Sequence, residues 1–283
     1  MRYRRIGDVQ VSAIGLGGMP LSIPGRPSRE QAIATIHAAL DAGITLIDTA
    51  DSYTTMADGP GHNEELIAEA LRGRSEEVLV ATKGGHIFSD QGAWGQNGDP
   101  VYLREAARES LRRLGGEAIG LYQFHRPDPA VPYADSIGAV RALLDDGIIR
   151  MAGISNVTVE QIAVADEILG GKLVSVQNEF SPKFRSSEGE LDYCAAHETA
   201  FLPWSPLGGI SRASGVGTDH AAIAAVADEL GVSPQQVTLA WELALQHSVI
   251  PIPGASRPES IRDSALAADL VLTESQIATI SAG

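Results

Sequence analysis

Short apolar runs alternate with amphipathic segments eight times along this 283-residue chain, and that alternation constrains the fold more than any other feature. The runs are about six residues long, bounded by turn residues, and read as buried strands. They fall at 13–18, 44–50, Val78–Lys83, Ile119–His125, Arg150–Ser155, Leu173–Asn178, Phe201–Ser205 and Val249–Pro253. Between them, helices open on capping residues and stop at glycine. Ser28 with Gln31 opens the first, which Gly43 ends. Others lie near 63–72, 101–114, 133–145 and 188–197, and Thr158 with Gln161 and Ser256 with Glu259 open two more. Repeated strand–helix units imply a parallel sheet, and eight of them imply closure. The expected fold is α/β, a (β/α)8 TIM barrel with residues 1–283 as one domain. An N-terminal β-hairpin over 2–13, turning at Gly7-Asp8, precedes the barrel. Two extra helices stand outside the repeat. One lies near 219–230, before a helix capped by Ser233 and Gln236, and the other opens at Thr273 with Gln276. The stretches 86–99 and 208–218 are rich in Gly, Ser, Asn and Asp and are expected to be mobile loops.

Charge and cysteine usage narrow the function classes. A net charge of −15 and a pI of about 4.8 argue against a general nucleic-acid surface. They leave room for a small anionic ligand, which a few cations and backbone N–H groups can bind. Cys194 is the single cysteine, so there is no internal disulfide, and no Cys/His spacing suggests zinc or another metal. Its setting, Asp192 to His197, looks helical and suits a buried packing residue better than a nucleophile. The basic start Met1–Arg5 has no apolar signal core after it, and no run reaches membrane length. A cytoplasmic protein with a small-molecule partner, without nucleic acid or membrane, is expected.

In a (β/α)8 barrel the chemistry sits at the C-terminal ends of the strands. The polar residues there are Asp48 with Tyr53 beyond it, Lys83, His125, Ser155-Asn156, Gln177-Asn178, Trp204-Ser205 and Gly254 to Arg257. Each has an ordinary alternative. Lys83 can snorkel to solvent, His125 can cap a turn before Arg126-Pro127, and Ser155-Asn156 can form one. Together they are chemically complementary. Tyrosine titrates near ~10 in isolation, and a neighbouring lysine cation lowers that value. Asp48 can hold Lys83, leaving Tyr53 to give a proton to a carbonyl oxygen that His125 orients. A proton donor without a nucleophile or metal suggests addition of something carried by a cofactor, and hydride is the natural candidate.

These residues stand in ordered segments that resemble the aldo-keto reductases over nearly the whole chain. They are Gly15–Met19, Ile47–Tyr53, Gly61–Glu65, Ala81–Lys83, Leu121–Asp128, Gly153–Asn156, Val176–Ser181, Trp204–Gly208 and Ile252–Gly254. The resemblance implies NADPH-dependent reduction of an aldehyde or ketone to an alcohol. Asp48, Tyr53, Lys83 and His125 would form the catalytic tetrad, with hydride from nicotinamide and the proton from Tyr53. Ser155, Asn156 and Gln177 would hold the carboxamide, and Trp204 would stack on the ring. Ser205, Pro206, Leu207 and Gly208 would run along the pyrophosphate, with Gly18, Met19, Asp48 and Gly254 also facing the cofactor. At the adenosine end the chain departs from the family pattern. Ser256-Arg257 come first, Ser260 falls near the expected Arg, Arg262 follows, and Asp263-Ser264 replace Glu-Asn. Arg257 and Arg262 supply the cations that favour NADPH, with NADH not excluded.

Met19, Ile87, Phe88 and Trp94, with Tyr53 and His125, are the expected substrate walls, and Trp94 equally suits a loop anchor. The long C-terminal tail of many relatives has no counterpart before Gly283, which implies an open site and a broad substrate range. Two other readings compete. One is a cofactor-binding regulatory subunit with little turnover, like the potassium-channel β subunits. The other is a metal-dependent barrel hydrolase, for which only His125 is well placed.

Overall fold

A strand sends alternate side chains to opposite faces, and in this chain both faces are apolar, so both must be covered. The computed structural model, which describes residues 1–89 and 92–283, shows how. A parallel sheet runs in the order β11-β10-β9-β8-β5-β4-β3. Its strands are β3 (Leu16–Gly17), β4 (Leu46–Asp48), β5 (Leu79–Gly84), β8 (Ile119–Phe124), β9 (Ile149–Ser155), β10 (Leu173–Gln177) and β11 (Ala200–Phe201). Residues 248–254 close the ring. On one side Ile250 N–H donates to Phe201 O at 2.8 Å, and on the other Gly15 and Gly17 donate to Pro251 and Pro253 O, each at 2.9 Å. The eighth run lacks a regular ladder because Pro251 and Pro253 have no N–H to give. The fold is a (β/α)8 barrel.

The inward faces of the strands fill the barrel. Leu46, Leu79, Ala81, Leu121, Met151, Leu202, Ile250 and Ile252 form one cluster, joined by Ile6 and Val11. Those two come from the expected N-terminal hairpin, β1 (Tyr3–Ile6) and β2 (Val9–Ser12), which packs into the bottom of the barrel. The outward faces, with Ile47, Tyr122, Ile154, Val176 and Phe201, pack against the helices. Each fully buried aliphatic or aromatic side chain contributes roughly 1.5–3 kcal/mol.

The helices follow the expected order: α1 (Arg29–Asp41), α2 (His62–Leu71), α3 (Pro100–Leu114), α4 (Tyr133–Asp145), α5 (Val159–Leu169), α6 (Glu188–Ala196), α8 (Ala221–Leu230), α9 (Pro234–Leu245), α10 (Pro258–Leu266) and α11 (Glu274–Ala282). Thr158 and Thr273 form complete capping boxes. Ser256 does not cap α10, whose cap position is Arg257 without a side-chain capping bond. The Ser256 carbonyl instead accepts from Gln31 Nε2 at 2.8 Å, drawing the glutamine of the first capping signal across to α10.

Both expected mobile loops hold secondary structure. Residues 86–99 contain an antiparallel hairpin, β6 (His86–Phe88) and β7 (Trp94–Gln96). Residues 208–218 contain a 3₁₀ turn at Ala213–Gly215 and the start of a further short helix, α7 (Val216–Asp219). Among the described residues, no helix is long and apolar enough to cross a membrane.

Candidate active site

The two-residue period that fills the barrel also assembles its mouth. Following each inward face toward the strand's C-terminal end, Leu46 leads to Asp48, and Leu79 and Ala81 lead to Lys83. Leu121 and Gln123 lead to His125, Ser175 leads to Gln177, and Leu202 leads to Trp204. Register brings them level: Asp48 lies beside Ala81, and Lys83 beside Gln123.

Lys83 is fully buried and spends its three N–H donors locally. They go to Asp48 Oδ2 at 2.7 Å, the Thr49 carbonyl at 2.8 Å and the Tyr53 hydroxyl at 3.1 Å. The second Asp48 oxygen accepts from Gln177 Nε2 at 2.8 Å. Tyr53 reaches this cluster because the chain beyond β4 is fastened along its length. Thr49 N–H donates to Ala81 O at 2.8 Å, Asp51 N–H to Lys83 O at 3.2 Å, and Gly61 N–H to Asp51 O at 2.6 Å.

Two glycines in this region are steric requirements. A Cβ at Gly18 would meet Asn63 Oδ1 and the Asp48 carbonyl, where Asn63 ties β3 to α2. A Cβ at Gly61, whose φ is 90°, would collide with the Arg113 guanidinium passing beneath. That guanidinium pairs with the buried Glu64 at 2.9 Å.

Charge at the site differs from the expected picture in one respect. Burial works against the Lys83 cation, but Asp48 and Tyr53 outweigh it, and its pKa is raised. Burial of the Tyr53 phenol outweighs the pull of Lys83, so its pKa is raised rather than lowered. The tyrosine is therefore held as a phenol, the form that can donate a proton. Burial, seconded by Lys83, His86 and Arg126, holds His125 well below the ordinary histidine range, so its imidazole is neutral.

Asp48, Tyr53 and His125 open onto a cavity of about 320 Å³, whose lining Lys83 does not reach. Met19, Asp48, Tyr53, Trp94, His125, Ser155, Asn156, Gln177, Trp204, Ser205, Pro206, Leu207 and Gly254 line it, as the sequence suggests. Ile87 and Phe88 do not. In the hairpin Ile87 lies opposite Gly95, and Phe88 packs on Trp94 at 4.8 Å between ring centroids. His86 takes their place, stacked on Trp94 at 4.7 Å and edge-on to His125 at 4.9 Å. Arg126 also lines the cavity. Sequence reasoning missed both: His86 lay in an expected loop, and Arg126 was noted only as the neighbour of His125.

Ser155 Oγ donates to Gln177 O at 2.7 Å, and Asn156 Nδ2 donates to His125 O at 3.0 Å. Asn156 and Ser205 adopt left-handed backbone, with φ of 59° and 53°, which turns the chain at two strand exits. Gly18 and Gly208 lie just off the lining, and their neighbours Gly17 and Gly209 are on it. Ser256, Arg257, Arg262, Asp263 and Ser264 do not line it either. Asp263 is committed to the start of α9, accepting from Ser233 Oγ and Gln236 Nε2, both at 2.6 Å. Ser264 is buried in α10, and Arg257 and Arg262 are exposed.

The lining fits a nicotinamide. Trp204 supplies a flat apolar face. Gln177 gives one N–H to Asp48, leaving its second N–H and its carbonyl oxygen for an amide. Residues 13–282 match the Aldo/keto reductase family.

The chain belongs to the aldo/keto reductase family.

It is 36% identical over 281 residues to an uncharacterised oxidoreductase of Schizosaccharomyces pombe, covering 98% of this chain and 88% of that protein. It is 31% identical over 285 residues to pyridoxine 4-dehydrogenase of Escherichia coli, covering 97% and 96%. A crystal structure of an aldo-keto reductase from Klebsiella pneumoniae in complex with NADPH superposes with a TM-score of 0.83. It is 28% identical and covers 99% of this chain and 94% of that one. Family membership makes this chain an oxidoreductase of the nicotinamide-dependent, carbonyl-reducing kind.

Proposed function

We propose that this protein reduces an aldehyde or ketone to an alcohol with NADPH, that Tyr53 is its proton donor, and that residues 1–283 act as one unit. The observation that carries this reading is the hydrogen bond from the buried Lys83 to the Tyr53 hydroxyl, with Asp48 behind it.

The bound cofactor supplies hydride to the carbonyl carbon. The chain's own residues do the rest. Tyr53 gives its proton to the carbonyl oxygen, and Lys83 stabilises the phenolate left behind. Asp48 keeps Lys83 in place. The neutral His125 orients the same oxygen by a hydrogen bond. Ser155, Asn156 and Gln177 would hold the carboxamide, and Trp204 would pack on the ring. Ser205, Pro206, Leu207 and Gly209 border the cofactor beyond it. Arg257, at the N-cap of α10, would meet the phosphate that distinguishes NADPH from NADH, helped by the helix N-terminus.

Oxidation of NADPH by a panel of small aldehydes, for wild type and Tyr53→Phe, tests the reading. Steady turnover by the wild type is expected, with a loss of about 10²–10⁴-fold in the variant while NADPH binding persists. Near-wild-type kcat in Tyr53→Phe refutes the assignment of Tyr53. Tight NADPH binding without turnover of any carbonyl favours a cofactor-binding regulatory subunit. A higher kcat/KM with NADH removes Arg257 from its role.

A further inference from the structure

Among the described residues, the cavity that receives the carbonyl has one cationic side chain in its lining, Arg126. Among the described residues of the lining, Asp48 is the one carboxylate, and its oxygens are taken by Lys83 and Gln177. Among the described residues Arg126 joins no ion pair within 4 Å, and the carboxyl its charge acts on is Glu179, which burial raises and Arg126 draws back down. Its Nε is buried and has no hydrogen-bond partner. A buried guanidinium N–H left without an acceptor is costly, and such groups in proteins normally find a partner. The other titratable groups facing the cavity do not compete for an anion. His86 is lowered to about 4, by burial first and Arg126 second, and burial likewise keeps His125 neutral. The remaining walls of the cavity include the apolar surfaces of Trp94 and Trp204.

Arg126 lines the same cavity as Tyr53 and His125, so a substrate whose carbonyl meets those two shares that cavity with the guanidinium-bearing side chain. Guanidinium forks match planar carboxylates and phosphates, and such pairs are stronger in water-poor surroundings. On a protein with net charge −15, an unpaired cation inside the mouth also gives an anionic ligand a local attraction that the overall field lacks.

We propose that Arg126 is the specificity-determining residue of this cavity and that it selects carbonyl substrates bearing a carboxylate or phosphate a few atoms from the reacting carbon. This rests on the reductase reading for its chemistry, but the anion subsite can be measured without turnover.

The experiment compares matched pairs: para-carboxybenzaldehyde with its methyl ester, and glyceraldehyde phosphate with glyceraldehyde. For each pair the ratio of kcat/KM is measured in wild type, Arg126→Gln and Arg126→Lys. Binding of para-carboxybenzaldehyde and of its ester to the NADPH complex of Tyr53→Phe, with and without Arg126→Gln, is measured by calorimetry. The expected result is a wild-type ratio favouring an anionic member by roughly 10–100-fold. The ratio should collapse toward one in Arg126→Gln and be partly restored in Arg126→Lys, with the same pattern in binding. A preference confined to the first pair identifies carboxylates, and one confined to the second identifies phosphates. Equal treatment of both members in both pairs overturns the proposal and leaves the reductase reading standing. An anion preference that survives Arg126→Gln also overturns it. Arg126-dependent binding of the carboxylate without turnover of any aldehyde upholds the subsite and refutes the reductase reading.

Discussion

Gln177 reaches Asp48 across 129 positions of the chain, donating its side-chain amide at 2.8 Å to the carboxylate oxygen that Lys83 leaves free. The two residues sit on different strands, β10 and β4, and their bond joins the proposed cofactor-holding side of the mouth to the proposed proton-donating side. Gln177→Leu is expected to weaken NADPH binding by about tenfold, the scale of one hydrogen bond, with a smaller effect on kcat. Fluorescence titration of the cofactor together with steady-state kinetics checks this. A fall in kcat with unchanged cofactor affinity would assign Gln177 to Asp48 alone.

Lys83 and Asp48 form an ion pair with side-chain exposures of 0% and 3%. Breaking a buried pair leaves one charge without its partner, at a cost of roughly 3–5 kcal/mol. Lys83→Met is therefore expected to lose both turnover and that much stability. The double variant Lys83→Met/Asp48→Asn should be more stable than the two single losses combined would make it. Urea denaturation of all four proteins measures the coupling, and additive losses would mean that the pair does not act as a unit.

The pH profile of reduction follows from two shifts of opposite direction. Tyr53 is raised from 10.0 by burial, so its phenol form persists to high pH, and His125 is lowered from 6.5 by burial, so its neutral form persists to low pH. The expected kcat/KM is flat from about pH 6 to about pH 9. A bend at the ordinary histidine value would show His125 titrating freely. His86 bears on stability. Its native value of about 4 lies below the unfolded 6.5, so the unfolded chain binds protons that the native chain refuses. Its contribution is complete above pH 6.5 and is lost as pH falls toward 4. His86→Phe should flatten that part of the stability curve.

Glu242 lies in α9, fully buried, with neither carboxylate oxygen hydrogen-bonded. Burial raises it well above 4.5, so the native protein keeps a proton that the unfolded chain releases. Its contribution is present below pH 4.5 and is lost as pH rises through the native value. Glu242→Gln should gain on wild type as pH rises, by up to about 1.4 kcal/mol per unit. Denaturant midpoints from acid to mildly alkaline pH test this, and a pH-independent difference would mean that Glu242 has a partner.

Much of the barrel is legible because period and capping are local. Leu79-Val80-Ala81-Thr82-Lys83 announces both a strand and the face on which Lys83 emerges. The meeting of Asp48, Tyr53, Lys83 and His125 at one mouth is legible for the same reason, since each ends or follows such a run. What escaped depended on contacts between distant segments. Ser28 and Ser256 carry similar capping signals, yet Gln31 engages the Ser256 carbonyl and α10 takes Arg257 as its cap. The hairpin His86–Gln96 lacks a strong alternating pattern and is held partly by His86, Phe88 and Trp94 packing on one another. The direction of the Tyr53 shift required knowing how deeply the phenol is buried, because residue identity shows the lysine but not the desolvation.

The one-sided bonding of the eighth run has a dynamic consequence. Pro251 and Pro253 accept from Gly15 and Gly17 and return no amide, so this margin carries about half the cross-links of an ordinary parallel pair. Barrels breathe where their staves are least fastened, and local opening of this kind is read by deuterium uptake at backbone amides. Gly15 and Gly17 are the reporters at this margin, exchanging ahead of the amides of β5, β8 and β9. Because Gly17, Pro253 and Gly254 also border the cavity, a molecule seated there would clasp the two staves together, and slowed exchange at Gly15 and Gly17 would register its arrival.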